Sequence, residues 1–287
     1  MKIGVLIVVE VDNTIEKLEQ KFKKLNEMGI KYCQLSSWES CVWTDENADK
    51  INELCKKYDV TISAFWCGWE GPGRMAWNFF DGPYALGLVP PEYRTLRVQN
   101  LCDGADFAKK LGVTDVATHM GFIPENPSDP NFPGLCIAIR HVAEHLKANG
   151  QYLLFESGQE TPITMLRCFE RVGTDNLAVN LDTANLILYG KGNPVDALDV
   201  IGKYVRNLHA KDGKFPTNGM NLGEETRLGE GKANFPALIR GLKALGYDSH
   251  ITIEREIDGD EQIRDIIDGK KFLTDIITEV YGEGSVE

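Results

Sequence analysis

The chain of 287 residues is 43% hydrophobic and 26% charged, enough apolar material for one large core or two modest ones. Its formal net charge of −12 provides no averaged field that would draw it to nucleic acid or to an anionic membrane surface. Seven cysteines, at 33, 41, 55, 67, 102, 136 and 168, are odd in number and never spaced C-x-x-C, which argues against a disulfide framework or a thiolate zinc site and for reduced thiols in the cytoplasm.

The opening MKIGVLIVVEVDN reads as a buried strand and not as a targeting peptide, because acids follow the apolar run at once and no small-residue cleavage site appears. Similar β-branched runs recur, giving expected strands at 3–9, 31–36, 60–67, 113–119, 151–156, 177–182, 205–210 and 250–255. Between them lie helical patterns such as TIEKLEQKFKKLNEMG, ENADKINELCKKYD, PPEYRTLRVQNLCDGADFAKKLG and FPALIRGLKALG, several closed by a glycine suited to a C-terminal cap (Gly29, Gly112, Gly150, Gly173, Gly246). Thr161-Pro162 and Asn193-Pro194 mark helix starts, a capping side chain preceding a first-turn proline. Eight strand–helix units predict a single (β/α)8 TIM barrel over residues 1–287 in preference to an open doubly wound sheet. No glycine-rich dinucleotide fingerprint follows the first strand, and no apolar stretch approaches membrane-spanning length.

Two connections exceed simple barrel loops. Residues 66–90 combine aromatics with glycine and proline after the third strand, and residues 211–234 follow the seventh. In a barrel such strand-to-helix loops sit on the active face. Four of the last strands each end in a metal-type ligand: Glu156 in LLFESG, Asp182 in AVNLDTAN, His209 in VRNLHAKD and Glu254 in ITIERE. Three carboxylates and an imidazole suit one hard or borderline divalent cation (Mn²⁺, Mg²⁺, Co²⁺ or Zn²⁺) with positions left for substrate oxygens. Lys211 alternates onto the same side as His209, and Asp212 then points away as support for the site. His119, ending VATHMG, is placed to reach a sugar hydroxyl or to bond a neighbouring carboxylate. Trp66, Trp69, Trp77 and Phe79 offer a sugar-stacking wall or the packing beneath a long loop. Arg94 and Arg97 are expected as solvated or ion-paired charges on the outer helix.

The order Glu, Asp, His, Glu on strands five to eight, within NLDTAN, NLHAKD and TIERE, resembles the xylose isomerase-like barrel superfamily of sugar and sugar-phosphate isomerases and epimerases, over nearly the whole chain. The branches it looks most like are the ketose 3-epimerases, inosose dehydratases, hydroxypyruvate isomerases and endonuclease IV-type repair enzymes. The resemblance implies that Glu156, Asp182, His209 and Glu254 hold the metal and that Glu156 and Glu254 also exchange the substrate proton on opposite faces. It implies a small carbohydrate as substrate, no nucleic-acid or membrane partner, and is compatible with a homo-oligomer. Asn185 stands where those epimerases carry a histidine, and it can bind a hydroxyl but not shuttle a proton at neutral pH. Arg227, in RLGEGK, corresponds to an arginine of their loop after strand seven. The repair enzymes bind three zinc ions through extra histidines, where this chain offers Trp66 or Cys67, Asn185 and no second histidine in 211–249.

The expected activity is metal-dependent isomerisation or epimerisation through an enediolate. The runner-up is a lyase or dehydratase on a keto-sugar or keto-inositol at the same site. A nuclease or a non-catalytic sugar-binding barrel are the readings of another class. HVAEH (141–145) fits an inverted zinc-protease pattern, but its helix has a core stripe of Ile139, Val142, Ala143 and Leu146 that puts both histidines on the barrel's outside.

Overall fold

Buried β-branched runs separated by amphipathic segments close on themselves when each strand pairs with the next in parallel and each helix covers the joint. The computed structural model describes residues 1–73 and 76–287, so Arg74 and Met75 of the long loop 66–90 lie outside the described residues. In chain order the elements are β1 (Lys2–Val8), α1 (Thr14–Glu27), β2 (Tyr32–Ser37), α2 (Asp45–Tyr58), β3 (Thr61–Cys67), α3 (Gly82–Ala85), α4 (Pro91–Lys110), β4 (Asp115–Thr118), α5 (Phe132–Ala148), β5 (Tyr152–Glu156), α6 (Pro162–Val172), β6 (Leu177–Asp182), α7 (Asn185–Leu188), α8 (Pro194–Ile201), β7 (Val205–Ala210), β8 (Asp212–Lys214), β9 (Glu224–Thr226), α9 (Phe235–Ala244), β10 (His250–Ile253) and α10 (Asp260–Tyr281). Eight strands form a closed barrel in the order β1-β10-β7-β6-β5-β4-β3-β2, all neighbours parallel, so the chain is a single (β/α)8 barrel. The expected caps form: Thr161 accepts from the Thr164 amide, and Asn193 from the amides of Val195 and Asp196. No helix among the described residues is long and apolar enough to cross a membrane.

The apolar core lies between barrel and helices, where Leu18, Phe22 and Leu25 of α1 and Leu135, Ile139, Val142 and Leu146 of α5 are buried. Inside the barrel the picture differs. Gln34, Asn180, Asn207, Asp115 and Thr252 are all buried there, and two hydrogen bonds cross the lumen: Gln34 Nε2 donates to Asn180 Oδ1 (3.4 Å), and Asn207 Nδ2 donates to Asp115 Oδ2 (2.9 Å). Such bonds between non-adjacent strands fix the register of side chains stacked above them.

Among the described residues both long loops carry secondary structure and hydrogen bonds to neighbouring elements. The loop after β3 contains α3 and is latched to the loop after β4, Leu88 N donating to Met120 O at 3.0 Å. A Cβ on Gly87 would lie 2.1 Å from the Met120 carbonyl, and Gly87 sits at φ +63°, so a side chain there is excluded twice. Arg97 corrects the expectation of a solvated or ion-paired charge. It is fully buried between the rings of Tyr93 (4.8 Å) and Trp69 (5.5 Å), and donates to the carbonyls of Gly87 (2.6 Å) and Glu70 (3.1 Å), tying α4 to the loop. Arg94 likewise donates to the carbonyls of Leu88 and Val89. After β7 the chain forms an antiparallel β8–β9 hairpin that periodicity missed, because three-residue strands are too short to show it.

Asp212 organises the remainder of that second loop. Its Oδ1 accepts from the amides of Gly213 and Ala233 and its Oδ2 from those of Gly229 and Gly231, at 2.9 to 3.0 Å. An ionised carboxylate is the strong acceptor such a loop needs. Asp212→Asn, which sets an NH₂ group against backbone donors, should lower stability by about 2 kcal/mol or more and speed amide exchange at Gly229 and Gly231. Unchanged melting and protection would show that the loop holds itself.

Candidate active site

The strand register sets four side chains level at the carboxyl end of the barrel. Asp182 pairs with His209 across β6–β7, Thr252 pairs with His209 across β7–β10, and the Glu254 amide donates to Ala210 O (3.1 Å). Ligand atoms of Glu156, Asp182, His209 and Glu254 all lie within 4.8 Å of one another. His209 Nδ1 is 3.1 Å from Glu156 Oε1, 3.2 Å from Glu254 Oε2 and 3.8 Å from Asp182 Oδ2.

Each ligand is oriented by a partner outside the cluster. His209 Nε2 donates to Gln34 Oε1 at 2.6 Å, which fixes the tautomer and leaves Nδ1 as the atom turned to the carboxylates. Asp182 Oδ1 accepts from the amides of Ala184 (2.8 Å) and Asn185 (2.7 Å), so the turn into α7 holds one oxygen and leaves Oδ2 facing inward. Glu156 Oε2 accepts from the Trp66 indole, and Glu156 Oε1 lies near His119 Nε2 (3.4 Å) and Asn185 Nδ2 (3.5 Å). Gln34, on β2, was not among the residues expected from the sequence. Nothing in a lone glutamine inside a strand marks it.

The charge pattern fits a divalent cation. Burial alone would push the Glu156 carboxyl up, but His119 and His209 hold it well below the usual carboxylate range. Glu254, likewise raised by burial, is brought down to about 2 by Lys211 and His209. Burial dominates at Asp182, which rises to about 6 despite Lys211. Burial would lower the His209 imidazole, yet Glu156 and Glu254 raise it well above the histidine range, so it acts as their counter-charge. Asp182 Oδ2 and Glu254 Oε2 are buried with only His209 and Lys211 as polar neighbours, at 3.2 to 4.0 Å and without full hydrogen-bond geometry among the described residues. A bound divalent ion would offset the crowded negative charge of Glu156, Asp182 and Glu254, with His209 giving Nδ1 as a neutral donor.

Above the cluster opens a cavity of about 800 Å³. Of the residues expected to meet substrate, His119, Asn185 and Trp66 line it, together with Trp38 and Trp77. Three others do not. Trp69 packs behind the wall against Trp38 and Trp66 (5.2 and 5.9 Å), because Arg97 holds it from the other side. Lys211 is sealed beneath the cavity with its Nζ 3.4 Å from Glu254 and 3.0 Å from Glu256. Arg227 points to the outside, where it pairs with Asp265 (2.9 Å) and Glu261 (3.6 Å) and fastens the β9 end of the loop to α10. His145 of the HVAEH segment binds Asp106 at 2.8 Å on the outer helices.

The family model for the xylose isomerase-like TIM barrel matches residues 22–276. The chain belongs to this family. An uncharacterised protein of Methanocaldococcus jannaschii is 28% identical over 207 residues, 68% of this chain, and the match spans 66% of that relative's length. A xylose isomerase domain protein from Planctomyces limnophilus superposes with a TM-score of 0.89 at 29% identity, covering 97% of this chain and 98% of the other. An L-ribulose 3-epimerase superposes at 0.72 with 17% identity over 98% of this chain and 96% of its own, a likeness of fold.

Glu160, also unforeseen, is buried near His119, and burial raises it to about 7 from 4.5 against the lowering pull of His119 and the nearby backbone amides. A folded-state value above the unfolded one means that its favourable contribution is complete below pH 4.5 and is lost as pH rises through 7. Glu160→Gln should therefore be more stable than the parent at pH 8, by on the order of 3 kcal/mol, and the gain should shrink at pH 5. Denaturant melts at both values check this; a pH-independent difference would contradict it.

Proposed function

We propose that this chain is a divalent-metal-dependent isomerase or epimerase that moves the α-proton of a sugar or sugar-like polyol ketone. The observation that carries the reading is the pair Glu156 and Glu254, which reach His209 Nδ1 at 3.1 and 3.2 Å from strands separated by two others, at the floor of the cavity. The family membership and the epimerase among the similar structures support it.

Glu156, Asp182, His209 and Glu254 would hold the cation, which would bind adjacent substrate oxygens, acidify the intervening C–H and stabilise the enediolate left behind. The remaining work falls to the chain's own groups. One glutamate, as carboxylate, removes the proton from carbon on its face. In epimerisation the other must deliver a proton to the opposite face, so it has to gain one within the turnover, since His209 and its neighbours hold both carboxyls ionised in the metal-free site; in aldose–ketose isomerisation one glutamate serves both transfers. The Trp66 indole and Gln34 keep Glu156 and His209 in place. Asn185 can hydrogen-bond a substrate hydroxyl but cannot relay a proton. Trp38, Trp66 and Trp77 wall the cavity and exclude water from the carbanion-like centre.

Glu156→Gln and Glu254→Gln keep one coordinating oxygen and lose the base. Both should retain metal and lose turnover, and at least one should still exchange the substrate's α-hydrogen with deuterated solvent. Near-parental turnover in both variants with metal bound would reduce the glutamates to ligands. Release of water from the substrate in place of a stereochemical change would assign a dehydratase.

A further inference from the structure

The loops after β5 and β6 carry polar groups that neither the fold nor the proton transfers employ. Gln159 and Tyr189 both line the cavity and are nine-tenths or more buried. Gln159 Oε1 and Nε2 and Tyr189 Oη have no hydrogen-bond partner of full geometry among the described residues, and neither does Nδ1 of neighbouring His119. The nearest partner of each is the other, Gln159 beside the Tyr189 hydroxyl, and one such contact leaves most of the donors and acceptors of a buried amide and phenol unused, a capacity that a ligand in the cavity can take up.

Their placement is built. Gly158 lets the exit of β5 pack against α7, since a Cβ there would come within 3.1 Å of the Asn185 Cβ and 3.6 Å of the His119 ring. Gln159 is thereby set beside Tyr189, which caps α7 with its amide on Asn185 O (2.9 Å). The Tyr189 ring is braced edge-on by Phe79 (5.9 Å) and Phe122 (5.8 Å). The facing wall, from the loops after β1 and β10, is aliphatic and acidic: Val9, Val11 and Ile257 with Glu10, Asp12 and Asp258. Among the described lining residues Arg255 is the one Lys or Arg, and it is spent between Glu225 (2.9 Å) and Asp265 (2.8 Å). Lys17 and Lys21 behind that wall are taken up by Glu10 and Asp12 (2.5 to 2.9 Å), so among the described residues it offers a phosphate no unpaired cation.

We infer that Gln159 and Tyr189 form a hydroxyl-reading subsite on the cavity wall beside the metal cluster, so that the substrate is an uncharged polyhydroxy ketone extending beyond the oxygens at the cluster. The amide offers both a donor and an acceptor and the phenol offers either, which matches a hydroxyl pair, whereas an anion would use the donors alone and face the amide oxygen. The inference rests on the proposed proton-transfer reading.

The test compares the metal-loaded full chain with Gln159→Met and Tyr189→Phe, which keep bulk and remove the polar ends. Solvent-deuterium exchange is measured on a panel of unphosphorylated six-carbon ketoses, their terminal phosphates and dihydroxyacetone. The parent should favour an unphosphorylated hexulose over its phosphate. Each variant should shrink the ratio of kcat/KM for hexulose to that for dihydroxyacetone about tenfold, through KM, with metal content unchanged. If Gln159→Met fails to fold, Tyr189→Phe decides alone. An unchanged ratio, or a parent that prefers the phosphate, overturns the subsite while leaving proton transfer standing. Exchange on no ketose overturns the proton-transfer reading and the subsite with it.

Discussion

Three carboxylates within a few ångströms of one point, all taken out of water, repel one another unless positive charge is built among them. The upper half of the barrel is arranged around that requirement. Lys211 is buried under the cavity for it, and His209 is turned by Gln34 so that Nδ1, not Nε2, faces the acids. The lumen-crossing bond from Gln34 to Asn180 shows why the barrel interior is polar where an aliphatic filling is customary: the side chains below the cluster hold those above it at fixed angles.

The loops answer a second requirement, that the site be enclosed without being blocked. Arg97, stacked between Tyr93 and Trp69, fastens the loop after β3 by its carbonyls, and Gly87 and Gly121 bring that loop into backbone contact with the loop after β4. Asp212, Arg227 and Arg255 fasten the other side, the two arginines meeting on Asp265. The tryptophan wall of the cavity is thus preorganised, as proton transfer in a water-poor site requires.

The barrel was legible because eight buried strands with capped helices between them leave few alternatives, and Thr161 and Asn193 cap as their spacing implied. The four cluster residues were legible because strand ends at one rim converge in space. What was not legible depends on contacts between segments far apart in sequence. Gln34 meets His209 from 175 positions away, and an isolated glutamine gives no hint of this. Arg227 sits in a glycine-bearing loop that suggested a substrate contact, but Asp265 on α10 draws it outward. Trp69 and Arg97 are adjacent only once the loop has folded back on α4. Gln159 and Tyr189 look like ordinary loop residues until the fold buries both polar ends side by side on the cavity wall.

On this reading Glu156, Asp182, His209 and Glu254 form one divalent-cation site whose histidine is set by Gln34. Calorimetric titration of Mn²⁺ into metal-stripped protein tests it most directly. The predicted result is one ion per chain, no binding by His209→Ala, and affinity lowered about 10- to 100-fold by Gln34→Leu. No binding by the parent, several ions per chain, or affinity indifferent to His209 would contradict it.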